Sequence, residues 1–449
     1  MSIEDMRTLE ENTEFLGVPR LKLMENAGRA SYEVLKDKVR DKKILIVCYH
    51  GNNGGDGFVL ARYLIANNYD VKVHFIGDEQ RLSHEAKINY SKINRHLFAR
   101  PVLYNEYDVI VDAILGTGAK QELSQQIINA VKMINNTRAF KVSLDMPTGL
   151  APTTGKNLGA VVDTDLVIAF HQKKKGLRNF RKSVNVVDIG IPKEAYNYAN
   201  DFPALKRSKF SHKGDNGRIV IFGGDMYSGA AILAGLAAYR AGADLVHVLT
   251  SRQSAAEINS YSPDIIAKAY EPVKDKHLID MADVILIGNG MKDNSLLIRQ
   301  ILKLDKLKVV DAAAIKYINI HKIRKSLITP HATELKLFLQ QNKLKLSDLR
   351  KNLSNNVILA KGPVDRIMSV DRFAMNRNGN AAMTVGGTGD VLAGLAAGIL
   401  AQSKDMFRSA GMAAYINGDI GDKLFRKMGN SLIASDFIGC IASEMRNYW

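Results

Sequence analysis

Two glycine-rich turns carry aspartates in places suited to anions. The first is "GNNGGDG" at 51–57, and the second, in the other half of the chain, is "GGTGD" at 386–390. A glycine-rich turn that opens a helix presents free backbone N–H groups and the positive helix end, so it attracts negative charge. A carboxylate there needs a separate job. In the second turn the glycine amides suit the charge that builds on a transferring phosphoryl group. Asp390, one step further in, is placed to take a proton from a hydroxyl attacking phosphorus. The plainer alternative is that Asp390 caps the helix that follows.

The first turn has two companions, "DAILGTG" (112–118) and "DMPTG" (145–149), each at the end of a predicted strand. Together they offer Asn53, Asp112 and Thr148 as hard oxygen ligands for a cation, with Asp56 and Asp145 as acid–base groups. The spacing leaves open which carboxylate does which job, and Asp145 can equally cap a turn. The first turn matches neither the G-x-G-x-x-G dinucleotide pattern nor the P-loop. Around the second turn, "AKGPVD" (360–365) supplies Lys361 for a nucleotide phosphate. "TPHATE" (329–334) puts His331 and Glu334 at a strand-to-helix turn, where they bind a substrate amide or phosphate or simply satisfy the turn. "HKGDNG" (212–217) reads as a mobile basic loop, "GGDMYSGAA" (223–231) as a phosphate-friendly turn and "IGNGM" (287–291) as a close-approach turn.

These turns need strands to hold them. "KKILIVCY" (42–49), "DVKVHFIG" (70–77), "YDVIVDAILGTG" (107–118), "FKVSLDMPTG" (140–149), "TDLVIAF" (164–170) and "VNVVDIGIP" (184–192) are short apolar runs separated by helical stretches. The pattern predicts a mainly parallel sheet covered on both faces, a Rossmann-like three-layer α/β sandwich. Ligands of such sheets sit beyond the carboxyl ends of the strands, where 50–57, 112–118 and 145–149 fall. The alternation lapses over 193–215, then restarts with strands in 217–224, 244–250, 282–290, 307–314 and 356–363 and a hairpin within 366–375. Two α/β domains follow, 1–205 and 206–449, as the length allows.

Composition narrows the class. The net charge of +16 either attracts an acidic partner or is a Lys-rich solvated surface. Its densest cluster is "HQKKKGLRNFRK" (171–182), with no aromatic-interleaved basic stripe, so no nucleic-acid partner is expected. Two cysteines, Cys48 and Cys440, offer neither a disulfide framework nor a zinc site. No apolar run is long enough to span a membrane and the first residues lack a signal-peptide pattern, so a cytoplasmic location is expected.

In order, "LMENAG" (23–28), "GNNGGDG", "DAILGTG" and "DMPTG" resemble the NAD(P)H-hydrate epimerases, the YjeF N-terminal domain family, over about residues 1–200. The resemblance implies that Asn52, Asn53, Gly54, Gly55 and Asp56, with the 116–122 loop (Gly116, Thr117, Gly118), hold a hydrated dinucleotide. It also implies a potassium ion on Asn53, Asp112 and Thr148, the last commonly serine in the family. Asp145 resembles the family's substrate-contacting aspartate and is the candidate proton-handling group. Relatives of this domain also serve as non-catalytic modules in RNA-decapping scaffolds.

The set from His212 to Gly394 is similar to the ADP/ATP-dependent NAD(P)H-hydrate dehydratases, a ribokinase-like α/β family, over roughly residues 206–449. By that resemblance Ala230, Gly290, His331 and Asp390 touch the hydrated dinucleotide. Lys361, Gly362, Pro363, Val364, Asp365 and Gly389 would touch the adenine nucleotide. Two departures stand out: the family's P-H-P-G-E is Pro330-His331-Ala332-Thr333-Glu334 here, and "NRNGNAAMTV" (376–385) differs from the commoner stretch.

The two resemblances converge on one metabolite. They imply an isomerase that interconverts the R and S epimers of hydrated NADH and NADPH, joined to a lyase that dehydrates the S epimer. The lyase would use Mg²⁺ with ADP or ATP, and ADP is the expected donor. One rival is a ribokinase-like small-molecule kinase with a nucleotide-sensing first domain, recognised by a net phosphorylated product. Another is an RNA-associated scaffold, which the positive charge favours. A homo-oligomer is expected, although the Ala/Gly-rich helices suit packing within a domain as well as between subunits.

Overall fold

The most continuously apolar runs become the central strands, because both faces of a parallel sheet are covered and neither needs polar residues. The structure, a computed structural model, describes residues 3–99, 103–118, 122–199 and 202–449. It comprises two compact units, residues 1–14 with 18–192 and residues 15–17 with 193–449. The division after Pro192, rather than at 205, has a local cause. The Ala199 amide donates to the Met375 carbonyl (2.8 Å) and the Leu205 amide to the Tyr448 carbonyl (2.6 Å), which fastens this stretch to the second unit.

In the first unit β1 (Lys43–Cys48), β2 (Asp70–Phe75), β3 (Val109–Ala113), β4 (Phe140–Leu144), β5 (Leu166–Phe170) and β6 (Ser183–Val187) form a parallel sheet in the order β2-β1-β3-β4-β5-β6. Its helices are α1 (Ile3–Phe15), α2 (Arg20–Leu35), α3 (Asn52–Ala66), α4 (His84–Tyr90) and α5 (Gln125–Asn135). The period of two along each strand sorts the core into two faces. Leu45, Val47 and Ile110 meet Ile127, Val131 and Ile134 of α5. Ile46, Cys48 and Ala113 face α3, where only glycine fits at position 57: a Cβ there would lie 2.6 Å from that of Ala113.

The expected strand–helix alternation stops after β4. Residues 145–165 hold no helix, and only a short 3₁₀ turn, Lys175–Leu177, lies between β5 and β6. Gly149, Gly155 and Gly159 all sit at positive φ in the first of these stretches, which breaks any helical run.

In the second unit the strands are β7 (Arg218–Phe222), β8 (Leu245–Thr250), β9 (Ile266–Ala269), β10 (Val284–Ile287), β11 (Leu307–Val310), β12 (Ser326–Ile328), β13 (Val357–Ala360), β14 (Asp365–Met368) and β15 (Phe373–Asn376). Their order is β15-β14-β13-β12-β11-β10-β7-β8-β9. Strands β7 to β13 are parallel, and β14 and β15 complete the expected hairpin in antiparallel sense. The helices are α6 (Ser228–Arg240), α7 (Arg252–Tyr261), α8 (Lys276–Met281), α9 (Ser295–Leu302), α10 (Ala332–Gln341), α11 (Leu346–Leu349), α12 (Thr388–Ser403), α13 (Met406–Met428) and α14 (Ala434–Met445). The Ala/Gly-rich α6 and α12 pack on each other within the unit. A Cβ at Gly394 would lie 2.0 Å from the Ala234 carbonyl oxygen, so the two backbones touch. Among the described residues no helix is long and apolar enough to cross a membrane.

Candidate active sites

Every chemistry-bearing turn of the first unit follows the carboxyl end of a strand, because the sheet is parallel. The strand order reverses direction between β1 and β3, which opens a crevice at that edge. A cavity of about 260 Å³ lies there. Its wall includes Asn52, Asn53, Asp56, Gly116, Thr117, Gly118 and Asp145, all expected ligand contacts. Residues 119–121 of the 116–122 loop lie outside the described residues.

Gly54 and Gly55 are different. The "GNNGGDG" stretch is no open loop, since α3 begins at Asn52, and none of its glycines has positive φ. Gly54 and Gly55 are buried off the cavity wall, where a Cβ would lie 1.8 Å from the Tyr49 carbonyl oxygen and 2.5 Å from Met24 Cε. They let the helix start close against its neighbours.

Asp145 sits at φ 64°, a left-handed conformation most side chains avoid. This aims its carboxylate at the cavity. Oδ1 is ion-paired with the Lys174 ammonium and accepts from the Phe170 amide, while Oδ2 accepts from the Thr117 amide at 3.3 Å. Lys174 itself is buried and also donates to the Phe170 carbonyl at 2.7 Å. The basic cluster 171–182 concealed it, because one buried lysine among solvated ones leaves no mark in composition. Burial, then the nearby Asp145 and Glu10 charges, hold the Asp56 carboxyl well above the usual range, against the pull of Lys174. The carboxyl of Glu10 on α1 is pushed up to about 7 by burial and by Asp145.

Asp112 and Thr148 are joined directly. The Thr148 hydroxyl donates to Asp112 Oδ1 at 2.6 Å, and its amide donates to Oδ2 at 2.8 Å. The Ser143 hydroxyl adds a bond to Oδ2 at 2.8 Å. Burial raises the Asp112 carboxyl while these hydrogen bonds oppose the rise, and among the described residues it has no ion-pair partner. Asn53 Oδ1 is buried without a hydrogen-bond partner. A Cβ at Gly116 would sit 3.2 Å from that atom and 3.1 Å from Asp145 Oδ2, so these two side chains converge. The joined Asp112 carboxylate and Thr148 hydroxyl, and separately the orphan Asn53 amide oxygen beside Asp145, are oxygen donors of the type a hard cation takes.

The second unit repeats the logic at its own strand order reversal, between β7 and β10. Gly290, at φ 60°, follows β10, and its carbonyl accepts from the Met226 and Tyr227 amides (2.9 and 3.1 Å). A Cβ there would lie 2.9 Å from that of Ala230, so the turn and the start of α6 adjoin. Gly387 occupies the left-handed region at φ 97° and opens α12 without a side-chain cap. Asp390 is not a cap either: Asn289 Nδ2 donates to its Oδ1 at 2.7 Å. The same Nδ2 donates to Asp311 Oδ2 at 3.0 Å. Asp311 Oδ1 in turn accepts from the Thr329 hydroxyl (2.7 Å) and the Lys361 ammonium (2.9 Å).

Burial pushes the Asp390 carboxyl up to about 6, with Asn289 and Lys361 pulling it down and Asp311 pushing it up. Burial disfavours charge on Lys361, yet the ion pair with Asp311 carries its ammonium above the usual range. Gly389 adjoins it, since a Cβ there would lie 3.6 Å from Lys361 Nζ. Asn289, Asp311 and Thr329 were not singled out from the sequence. Asp311 had a signal, because it directly follows the apolar strand β11.

His331 heads α10 in a capping box: its Nδ1 accepts from the Thr333 amide at 3.2 Å, and its own amide donates to Glu334 Oε2 at 2.9 Å. The Ala332-Thr333 departure therefore keeps an ordered turn. The Lys361 amide donates to the Pro330 carbonyl at 2.8 Å, which sets this turn beside the lysine. Gly362, Pro363 and Val364 form the tight connection into β14, and the Gly362 amide donates to Asp365 Oδ1 at 3.1 Å. Asp365 Oδ2 accepts from Asn376 at 3.1 Å, so this carboxylate shapes the turn. The 212–217 loop, expected to be mobile, is pinned: Asp244 Oδ2 accepts from the Gly214 amide (2.9 Å) and the Asn216 amide (3.0 Å).

Two α/β units, each with carboxylates gathered at a strand-order reversal, define a two-site enzyme of nucleotide-like metabolites. Residues 20–176 match the family model of the YjeF-related protein N-terminus, and residues 219–443 match that of NAD(P)H-hydrate dehydratase. The chain is 37% identical to the bifunctional NAD(P)H-hydrate repair enzyme Nnr of Methanothermobacter thermautotrophicus, over 98% of its own length and 94% of that protein. It is 36% identical to the protein of the same name from Archaeoglobus fulgidus, over 98% and 97% of the two chains. A crystal structure of a ribokinase-like superfamily protein from Enterococcus faecalis matches with a TM-score of 0.50 and 27% identity, over 55% of this chain and 92% of that one. The chain belongs to the family of bifunctional NAD(P)H-hydrate repair enzymes.

Proposed function

We propose that the first unit interconverts the R and S epimers of hydrated NADH and NADPH, and that the second dehydrates the S epimer at the expense of ADP or ATP. One observation carries the reading. In a chain similar along its whole length to bifunctional enzymes of that name, Asp390 stands at the glycine-rich start of α12, wired through Asn289 and Asp311 to Lys361.

Hydroxide is a poor leaving group, and phosphorylation makes it a good one. Asp390 accepts the proton of the ring hydroxyl as that oxygen bonds to the terminal phosphorus and the nucleotide departs as AMP or ADP. The amides of 386–389 and the Lys361 ammonium hold the charge on the phosphoryl oxygens. The ring nitrogen then expels phosphate, a proton leaves the neighbouring ring carbon, and the dihydropyridine is restored. Mg²⁺, when bound with the nucleotide, would supply charge neutralisation at the phosphates. In the first unit, Asn53, Asp112 and Thr148 would hold a potassium ion, which supplies a counter-charge to the buried Asp112. Asp145, oriented by Lys174 and the Thr117 amide, handles the proton there.

The test follows the return of dihydronicotinamide absorbance from an R/S mixture of hydrated NADH with Mg²⁺, K⁺ and either ADP or ATP. Complete recovery supports both activities and identifies the donor. Asp390→Asn should abolish recovery in a folded protein, and Asp145→Ala should stall it after the S fraction. Full recovery in either variant removes that residue from the mechanism, and a net phosphorylated product overturns the dehydratase reading.

A further inference from the structure

The first cavity holds a group that none of these motifs contains. Helix α1 turns Met6, Arg7 and Glu10 toward it, the one-and-four spacing of a single helix face. Glu10, on α1, and Asp145, in the loop after β4, therefore line the same cavity. Resting on the epimerase reading, we propose that Glu10 is the second proton-carrying group of that reaction, working beside Asp145 in the same cavity.

The chemistry needs two such groups. To invert the carbon beside the ring nitrogen, the C–O bond breaks as the nitrogen lone pair forms a C=N bond. The departing hydroxyl takes the Glu10 proton and leaves as water. A second water then adds from the other face, giving its proton to the Asp145 carboxylate as the new C–O bond forms and the lone pair returns to nitrogen. Glu10 ends ionised and Asp145 protonated, and exchange with solvent water resets both. The reverse reaction uses the same groups in exchanged roles.

The surroundings suit this division. Lys174 is paired with Asp145 in the same cavity. Glu10 faces Asp145, Asp56 and Glu85 as well as Arg7, Arg20 and Lys174, and burial with the Asp145 charge carries its carboxyl up to about 7. A carboxyl so placed still holds its proton near neutrality.

The experiment compares wild type, Glu10→Gln and Glu10→Asp on the R/S mixture of hydrated NADH, with nucleotide saturating. Wild type should consume the R fraction at a rate that falls as pH rises through about 7, because the acid form is required. Glu10→Gln should slow R consumption by roughly a hundredfold or more, while recovery of the S fraction keeps its wild-type rate. Glu10→Asp should restore part of the rate and an alkaline limb. In ¹⁸O-labelled water the epimerised hydroxyl should carry the label, and retention of unlabelled oxygen overturns the water-loss route. Wild-type R consumption by Glu10→Gln overturns the role of Glu10 alone. So does a slowed variant whose alkaline limb is unchanged. A wild-type protein that leaves the R fraction untouched overturns the epimerase reading and this role with it.

Discussion

Removing Asn289 tests the electrostatics of the second site most directly. Its Nδ2 bridges Asp390 at 2.7 Å and Asp311 at 3.0 Å, and this bond helps hold the Asp390 carboxyl down at about 6. A hydrogen bond to a charged group is worth about 1.5–3 kcal/mol, and about 1.4 kcal/mol moves a titration by one pH unit. Deleting the donor in Asn289→Ala therefore raises the Asp390 midpoint by roughly one to two units, nearer one because solvent partly screens the site. The repulsion from Asp311 works in the same direction. Asp390 acts as a base, so its ionised form is the active one and activity is lost as pH falls through the midpoint. The acid limb of kcat should thus move from about 6 toward roughly 7, with the high-pH plateau largely kept. At pH 6 the variant should retain about a tenth of its plateau where wild type retains about half. The assay is dihydronicotinamide recovery from the S epimer at saturating nucleotide across that range, with thermal melting to confirm folding. An acid limb that stays in place, or moves down, would show that Asn289 does not tune Asp390 and that another group sets the profile.

Three further outcomes follow from single contacts. Lys174→Met strands the buried Asp145 carboxylate without its cation, which should cost about 3–5 kcal/mol in a melt of the first unit and stop R-epimer consumption. Undiminished R consumption would remove Lys174 from the site. Thr148→Val removes the hydroxyl bonded to Asp112; it should cost about 1–3 kcal/mol and abolish any potassium dependence of epimerisation, measured by replacing K⁺ with a bulky organic cation. Gly394→Val would drive a side chain into the Ala234 backbone, so a loss of about 1–3 kcal/mol or more is expected, and an unchanged melting temperature would refute the α6–α12 packing.

Much of this protein was legible in the order of its residues. Apolar runs of strand length, interrupted by glycine-rich turns, announce parallel sheets, because a sheet covered on both faces has no use for alternation. Asp112, Asp145 and Asp390 declare themselves by position, each closing a strand or opening a helix at the edge where parallel sheets bind ligands. Spacing along the chain does not reveal packing: at 54 and 55 only glycine fits, because Tyr49 and Met24 leave no room for a Cβ. The helix expected between β4 and β5 is replaced by a turn-rich loop, since left-handed glycines there outweigh the local pattern.

What the sequence determined by itself is therefore local: the strands, the turns at their ends, and the residue types those turns carry. Only the tertiary structure decided which groups meet. Lys174 looks like one of many surface lysines until it is found buried against Asp145, and Glu10 like a helix-surface acid until the cavity closes over it. Asn289 joins Asp390 to Asp311 across β10, β11 and α12. The strength of a charge depends on the dielectric and the partners around it, and those are set by segments far apart in the chain.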